Sequence, residues 1–219
     1  CGEPCADGSV CTFGSGSWAC APFAGADATM SFFVTSQGNG DAAGNFGGLA
    51  GADAFCQQLA QAVGAGGKTW RAYLSAGSEA ARDRIGSGPW YNAAGAAIVD
   101  PTCSDCVADL HAGGIATELA ITELGTQIDW ANAHDILTGS DQAGNPTGLD
   151  CNGWTSNAEG DRCTVGHANE SFAWNSAHDT GCDRVGMQCT AGQSHLYCLA
   201  RDCPSRVPRP SAVCSRPAP

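Results

Sequence analysis

GGLAGADAFCQQLAQAVGAGGKTWRAYL, residues 47–74, is the stretch on which the fold turns. Ala52, Phe55, Cys56, Leu59, Ala60 and Val63 recur at i, i+3, i+4, i+7, i+8 and i+11, the apolar stripe of an amphipathic helix. Gly64 follows the last periodic residue, where a left-handed C-cap suits glycine. Residues 69–74 then alternate in the manner of a half-buried strand. A cysteine on the inner face of a helix is ordinarily a small core hydrophobe. In a chain with 14 cysteines, Cys56 reads instead as a bolt to a distant strand.

The rest of the chain sets the context. Its 219 residues suffice for one large domain with appendages. The 30 glycines and low charge predict a loop-rich fold with few long helices. A net charge of -12 with only 10 Lys plus Arg argues against nucleic acid and against anionic membrane surfaces. The 14 cysteines are even in number, and their spacings fit no four-cysteine zinc pattern. They predict up to seven disulfides and a secreted or cell-surface position. Without a signal peptide or an apolar run of about 18 residues, the chain reads as mature and processed, with no membrane span. Cys1 raises lipid anchoring as an alternative, but the even count favours its pairing with a neighbour.

Three regions emerge. Residues 1–26 form a cysteine-dense head (Cys1, Cys5, Cys11 and Cys20) expected to need two local bridges. Residues 27–201 form the main domain. Residues 202–219 form a Pro-rich tail carrying Cys203 and Cys214, with extended backbone expected. The pairing of these six cysteines stays open, as does any link between subunits.

Within the main domain, residues 30–35 (MSFFVT) predict a strand. Residues 78–86 predict a short helix with Ser78 as N-cap and Gly86 at its end. Residues 96–99 predict a short strand, and residues 107–125 are apolar and weakly helical. Cys103 and Cys106 read as a local loop staple, since no strand–helix context of a redox pair surrounds them. Residues 128–193 read as loop apart from a strand at HDILTG, residues 134–139, with Cys151, Cys163, Cys182 and Cys189 available to hold them. HLYCLA, residues 195–200, is the last strand expected.

Three blocks in order resemble the endostatin family, the C-terminal domain of certain collagens, which has a C-type-lectin-like fold. The first is Gly51-Ala52-Asp53, Cys56, Ala62-Val63-Gly64 and Trp70-Arg71-Ala72-Tyr73-Leu74-Ser75. The second is Gly139-Ser140-Asp141, Gly144, Cys151 and Trp154-Thr155. The third is Leu196-Tyr197-Cys198-Leu199. Together they span about residues 30 to 200. Bacterial secreted proteins of the same lectin-like pattern are similar at Trp174-Asn175-Ser176-Ala177-His178. The resemblance implies an α+β, C-type-lectin-like domain with long disulfide-stapled loops. It also implies that Cys56 pairs with Cys198 and Cys151 with Cys182, leaving Cys163 with Cys189 as a third pair.

The chemistry expected from the family transfers only in part. Calcium-dependent sugar-binding relatives use a Glu-Pro-Asn or Gln-Pro-Asp loop and a Trp-Asn-Asp motif. Here Trp174-Asn175-Ser176 lacks the carboxylate, and Asn145-Pro146 has none directly before it. Asp141, Asn145, Asp150, Asn152, Asn157, Glu159 and Asp161 remain candidate calcium ligands, with Trp174 and Asn175 beside them. Endostatins hold zinc through an N-terminal histidine cluster that is missing here. The five histidines (His111, His134, His167, His178 and His195) are scattered, and each reads as a hydrogen-bonded loop or core residue. Heparin binding does not carry over to so acidic a chain. Trp130, Trp154 and Trp174 form a sugar platform or pin loops to the core, the core being favoured for Trp154 and Trp174. Asn169-Glu170-Ser171 is a glycosylation sequon.

No nucleophile elbow, His-Glu-x-x-His or phosphate loop is present. The expectation is therefore a non-enzymatic, extracellular structural protein that self-assembles through head and tail. The alternative is a secreted lectin-like module for glycans or proteins, with calcium as its candidate cofactor.

Overall fold

The computed structural model describes residues 25–201 in full and the backbone of 9–14 and 17–22. The expected head bridges, a lipid on Cys1 and the tail with Cys203 and Cys214 lie outside the described residues. Strands β1 (Ser9–Gly14) and β2 (Ser17–Pro22) form an antiparallel pair with Cys11 opposite Cys20.

The main domain is mixed α+β, built on a six-stranded sheet. Its strands are β3 (Phe32–Val34), β4 (Trp70–Ala72), β5 (Asp135–Leu137), β6 (Arg162–His167), β7 (His178–Gly181) and β8 (Gly192–Ala200). The order is β3-β8-β5-β6-β7, with β4 also on β8. Only β5 with β8 is parallel. No helix among the described residues is long and apolar enough to cross a membrane.

Strand β8 organises the sheet because it is buried on both faces and so feeds two cores. Leu196, Cys198 and Ala200 point to one core with Phe33, Trp70, Leu74 and Trp154. Tyr197 and Leu199 point to the other with Phe32, Trp90, Leu110 and Trp174. This is the two-residue period of a strand acting in both directions at once.

Helix α1 (Leu49–Ala62) covers the first core, burying Ala52, Cys56, Leu59 and Ala60. Gly64 has φ +83° and ends it as expected. Cys56 is bonded to Cys198 across 142 residues, the pairing the resemblance implies. Asp53, on the same helix, is buried as well. It accepts from the Ala72 amide at 2.9 Å and pairs with Arg71 and, through both oxygens, with Arg84. One carboxylate thereby joins α1 to β4 and to α2 (Ala81–Arg84).

Several local expectations are corrected. Ser78 does not cap α2; Ala80 occupies that position, and the Ala81 amide donates to Ser75 Oγ at 2.9 Å instead. Residues 96–99 form no strand. Asn92 Oδ1 accepts from the amides of Ala94 and Ala96, which folds the segment into a turn with one bridge from Tyr91 to Ala97. The weakly helical run resolves into α3 (Cys106–Gly113), capped by Asp105, and a 3-10 turn at Thr117–Leu119. Cys103 is bonded to Cys106 at the start of α3.

The region read as loop holds β6, β7, α4 (Trp130–Ala133), α5 (Cys151–Trp154) and α6 (Arg184–Cys189). At α5, Cys151, Asn152, Gly153 and Trp154 all have φ between 50° and 66°, a left-handed turn that L-residues adopt at a cost of about 1–2 kcal/mol each. The Asp150 side chain accepts from the Gly153 amide, Trp154 Nε1 donates to Ser75 O, and Cys151 is bonded to Cys182. These contacts hold the turn.

The expected Cys163–Cys189 pair is not formed: both are free thiols. Cys163 points from β6 into the core, with its sulfur within 4.8 Å of both Cys151 and Cys182, whereas Cys189 is exposed at the end of α6. Burial pushes the Cys163 thiol up to about 12, so it stays protonated and inert near neutrality.

Candidate metal centre

Strands β5, β6 and β7 lie side by side at one end of the sheet order, and each brings ionisable groups to one point. Asp135 opens β5 and sits directly opposite His167 on β6. His178 opens β7, opposite Val165 of β6. His134 precedes Asp135, at the C-terminus of the α4 turn that Asp129 caps. Gly166 lets the chain at Trp174 approach: a Cβ there would lie 1.9 Å from the Trp174 carbonyl oxygen. The loop between β6 and β7 therefore folds back tightly, and the His167 amide donates to Ala173 O at 2.8 Å.

The geometry is convergent. The Nε2 atoms of His134, His167 and His178 lie 3.4, 3.4 and 3.5 Å from one oxygen, Oδ1 of Asp135. The Asp135 side chain has no exposure, and neither of its oxygens has a hydrogen-bond partner. Both ring nitrogens of His167 also lack partners. Donors about 2.0–2.1 Å from a tetrahedral ion lie about 3.3–3.4 Å from one another; the three carboxylate–imidazole spacings match this, while His178 lies outside the set of His134, Asp135 and His167 whose donor atoms are mutually within 4.8 Å.

Oxygens hold the far sides of His134 and His178, while His167 has only a carboxylate oxygen nearby. His134 Nδ1 donates to Trp130 O at 2.7 Å, which leaves its Nε2 lone pair facing Asp135. His167 Nδ1 has Glu170 Oε2 at 3.7 Å, and His178 Nδ1 lies 3.3 Å from Asp179 O.

A buried carboxylate without partners costs several kcal/mol unless a cation answers it. Protonating His167 is a poor answer. Burial holds His167 below the usual imidazole range, and the neighbouring His134 and His178 oppose its charge, against the pull of Asp135. A divalent ion neutralises the carboxylate and uses all the lone pairs. Three imidazoles and one carboxylate suit zinc, copper(II) or nickel rather than calcium or magnesium.

The loop residues singled out from sequence are placed elsewhere. Asp141 accepts from Asn145, closing a turn. Asp150 accepts from the Gly77 and Gly153 amides. Asn152 reaches Thr155, Asn157 donates to Asp41 O, and Glu159 is exposed. The Asp161 carbonyl accepts from the Cys182 amide. Trp174 is buried against Tyr73, with ring centroids 4.8 Å apart, and Asn175 donates to Tyr73 Oη. Trp154 is likewise core. Among the described residues, two sets of three or more stand close enough to share an ion, Cys151/Cys163/Cys182 and His134/Asp135/His167; none of the loop residues belongs to either.

The histidines are thus not all of one kind. His111 and His195 are the hydrogen-bonded core residues expected, with Nδ1 donating to Val107 O and Thr35 O at 2.7 Å each. His134, His167 and His178 are not, and the reading of five scattered histidines is corrected. They stand 33 and 11 positions apart, so no short motif marks them; only strand pairing unites them.

The core pair has a consequence for pH. Burial depresses both His111 and His195, so below the ordinary imidazole value of about 6.5 the unfolded chain binds more protons than the folded one. Stability is therefore lost as pH falls through that value. Glu123, raised by burial, works in the opposite direction, but it is one group against these two and His167. The urea midpoint of metal-free protein is expected to fall between about pH 7.5 and 5.5; a constant or rising midpoint would contradict this balance.

No protein-family model matches the chain, and no curated protein matches it.

Proposed function

We propose that this is an extracellular, non-enzymatic binding domain of C-type-lectin-like architecture that holds one divalent d-block ion, of the zinc class, at His134, Asp135, His167 and His178. The observation that carries the reading is Asp135, fully buried with both oxygens unpartnered and three imidazole nitrogens closing on one of them. The ion would tie β5, β6 and β7 together laterally. The disulfides support the extracellular assignment. The self-assembly expected from head and tail rests on residues outside those described.

The test is metal titration of the full chain after chelation and dialysis. One equivalent of Zn²⁺ is expected to bind. At a free concentration about 100 times Kd, stabilisation is about 2.7 kcal/mol, which raises Tm by roughly 5–10 °C at this chain length. Asp135→Asn is expected to remove both effects. Folded wild-type protein that takes up no zinc near neutral pH would sink the proposal.

A further inference from the structure

We infer that the ion's fourth coordination position is exchangeable, with His178 as its detachable ligand and an external carboxylate as the group that replaces it. This rests on the metal reading above and deepens it.

The four ligands are not equivalent. The donor atoms of His134, Asp135 and His167 all lie within 4.8 Å of one another, and His178 stands outside that mutual set. Asp135 and His167 are a register pair inside the sheet, and His134 is fixed by its 2.7 Å bond to Trp130 O. His178 belongs to the edge strand, which is four residues long. Its Nδ1 has only the carbonyl of the next residue, at 3.3 Å. Its side chain is 37% exposed, against 24% for His134, 16% for His167 and none for Asp135. Three firm ligands and one loose, solvent-facing one describe an ion with an open side, since sites that bind external molecules keep one position free of firm protein ligation.

Charge selects the incoming group. A divalent ion with a single carboxylate keeps a net positive charge that three neutral imidazoles do not remove. An anionic oxygen donor completes the neutralisation that His178 cannot. The exchange is a ligand substitution: the bond from the metal to His178 Nε2 breaks, a metal–oxygen bond forms, the imidazole leaves neutral, and no electron is transferred.

The surroundings specify the body that carries the carboxylate. The loop that leaves β6 at His167 and returns at Ala173 places Phe172 in solvent, 84% exposed. An exposed aromatic ring on the loop that joins the two ligand-bearing strands, next to the residue that bonds the His167 amide, favours a carboxylate on a flat or ring-shaped apolar body over a bare one.

The experiment uses the full chain loaded with Co²⁺, whose visible absorption reports the ligand shell, titrated with acetate and with benzoate. Both are expected to shift the spectrum saturably, with benzoate about tenfold tighter, as burial of part of a ring allows. Phe172→Ala is expected to erase that difference and leave acetate binding as it was. His178→Ala is expected to weaken ion binding by no more than about 100-fold, the scale of losing a supporting ligand group, whereas His167→Ala abolishes it. A spectrum unmoved by either carboxylate while one equivalent of Co²⁺ is bound would overturn the inference and define a closed four-ligand site. So would His178→Ala releasing the ion as completely as His167→Ala. Failure of wild-type protein to bind Co²⁺ at all would overturn the metal reading itself, and this inference with it.

Discussion

Replacing Cys56 and Cys198 together by alanine is expected to destabilise the domain by about 5 kcal/mol. The bridge closes a loop of 142 residues, and cross-linking removes entropy from the unfolded chain in proportion to the logarithm of loop length. Because the dependence is logarithmic, the nested Cys151–Cys182 bridge, spanning 31 residues, shortens the effective loop with little effect. Both sulfurs lie in the first core, so the double variant also leaves a small void there. Removing both partners avoids an unpaired thiol that would exchange with other bridges. Equilibrium unfolding in urea measures the effect. A loss below about 1 kcal/mol would mean that the unfolded chain is already restrained between these two positions, against the chain-entropy account.

Asp53→Ala is expected to cost about 3–5 kcal/mol, the range for breaking a buried ion pair by deleting one partner. Arg84 sets the size of the effect. Its side chain is 7% exposed and turns one guanidinium edge to Asp53, while the Glu79 partner is itself half exposed. Without Asp53 the guanidinium remains buried with half its charge unanswered, and the Ala72 amide loses its acceptor. Asp53→Asn keeps an oxygen for that amide and should cost less. Arg71, a third exposed, contributes little by itself. Asp179→Asn supplies the contrast: its pair with Arg162 is about half exposed on both sides, and its removal should change stability by no more than about 0.5 kcal/mol. Equal losses for Asp53→Ala and Asp179→Asn would refute the argument from burial.

The frame of the domain is legible in the sequence because its elements carry strong periodic signals. Helix α1 has a continuous apolar stripe, and β8 has an apolar run that only a strand buried on two sides uses. The candidate metal centre is hidden for the opposite reason. RCTVGH, the sequence of β6, buries Cys163, Thr164, Val165 and Gly166 in succession, so it shows neither alternation nor a hydrophobic run. HDTG, the sequence of β7, is short and polar, as edge strands are. With both strands read as loop, nothing could bring His167 and His178 to Asp135. Asp53 was visible only as a residue entering a helix, and a helix-entry carboxylate ordinarily faces solvent. Its burial follows from Arg84, which lies 31 residues away and beyond the reach of local patterns. Cys163 and Cys189 are the two cysteines of residues 128–193 left over once the resemblance has paired the others, and pairing by remainder carries no information about which face each side chain occupies.

The bridge from Cys56 to Cys198 has a mechanical meaning as well. Strands β3 and β8 are antiparallel, with Phe32 opposite Leu199, so tension applied through the two ends of the domain would peel them apart like a zipper. That peeling ends at the bridge. Force then runs from the segment before Cys56 directly through sulfur to the segment after Cys198, and the chain between them, residues 57–197, never bears load. Extended, it would span on the order of 500 Å, a length withheld from the tether while the bond is intact. The candidate metal centre, residues 134–178, lies wholly inside that unloaded span, so pulling on the protein would leave those side chains where they are.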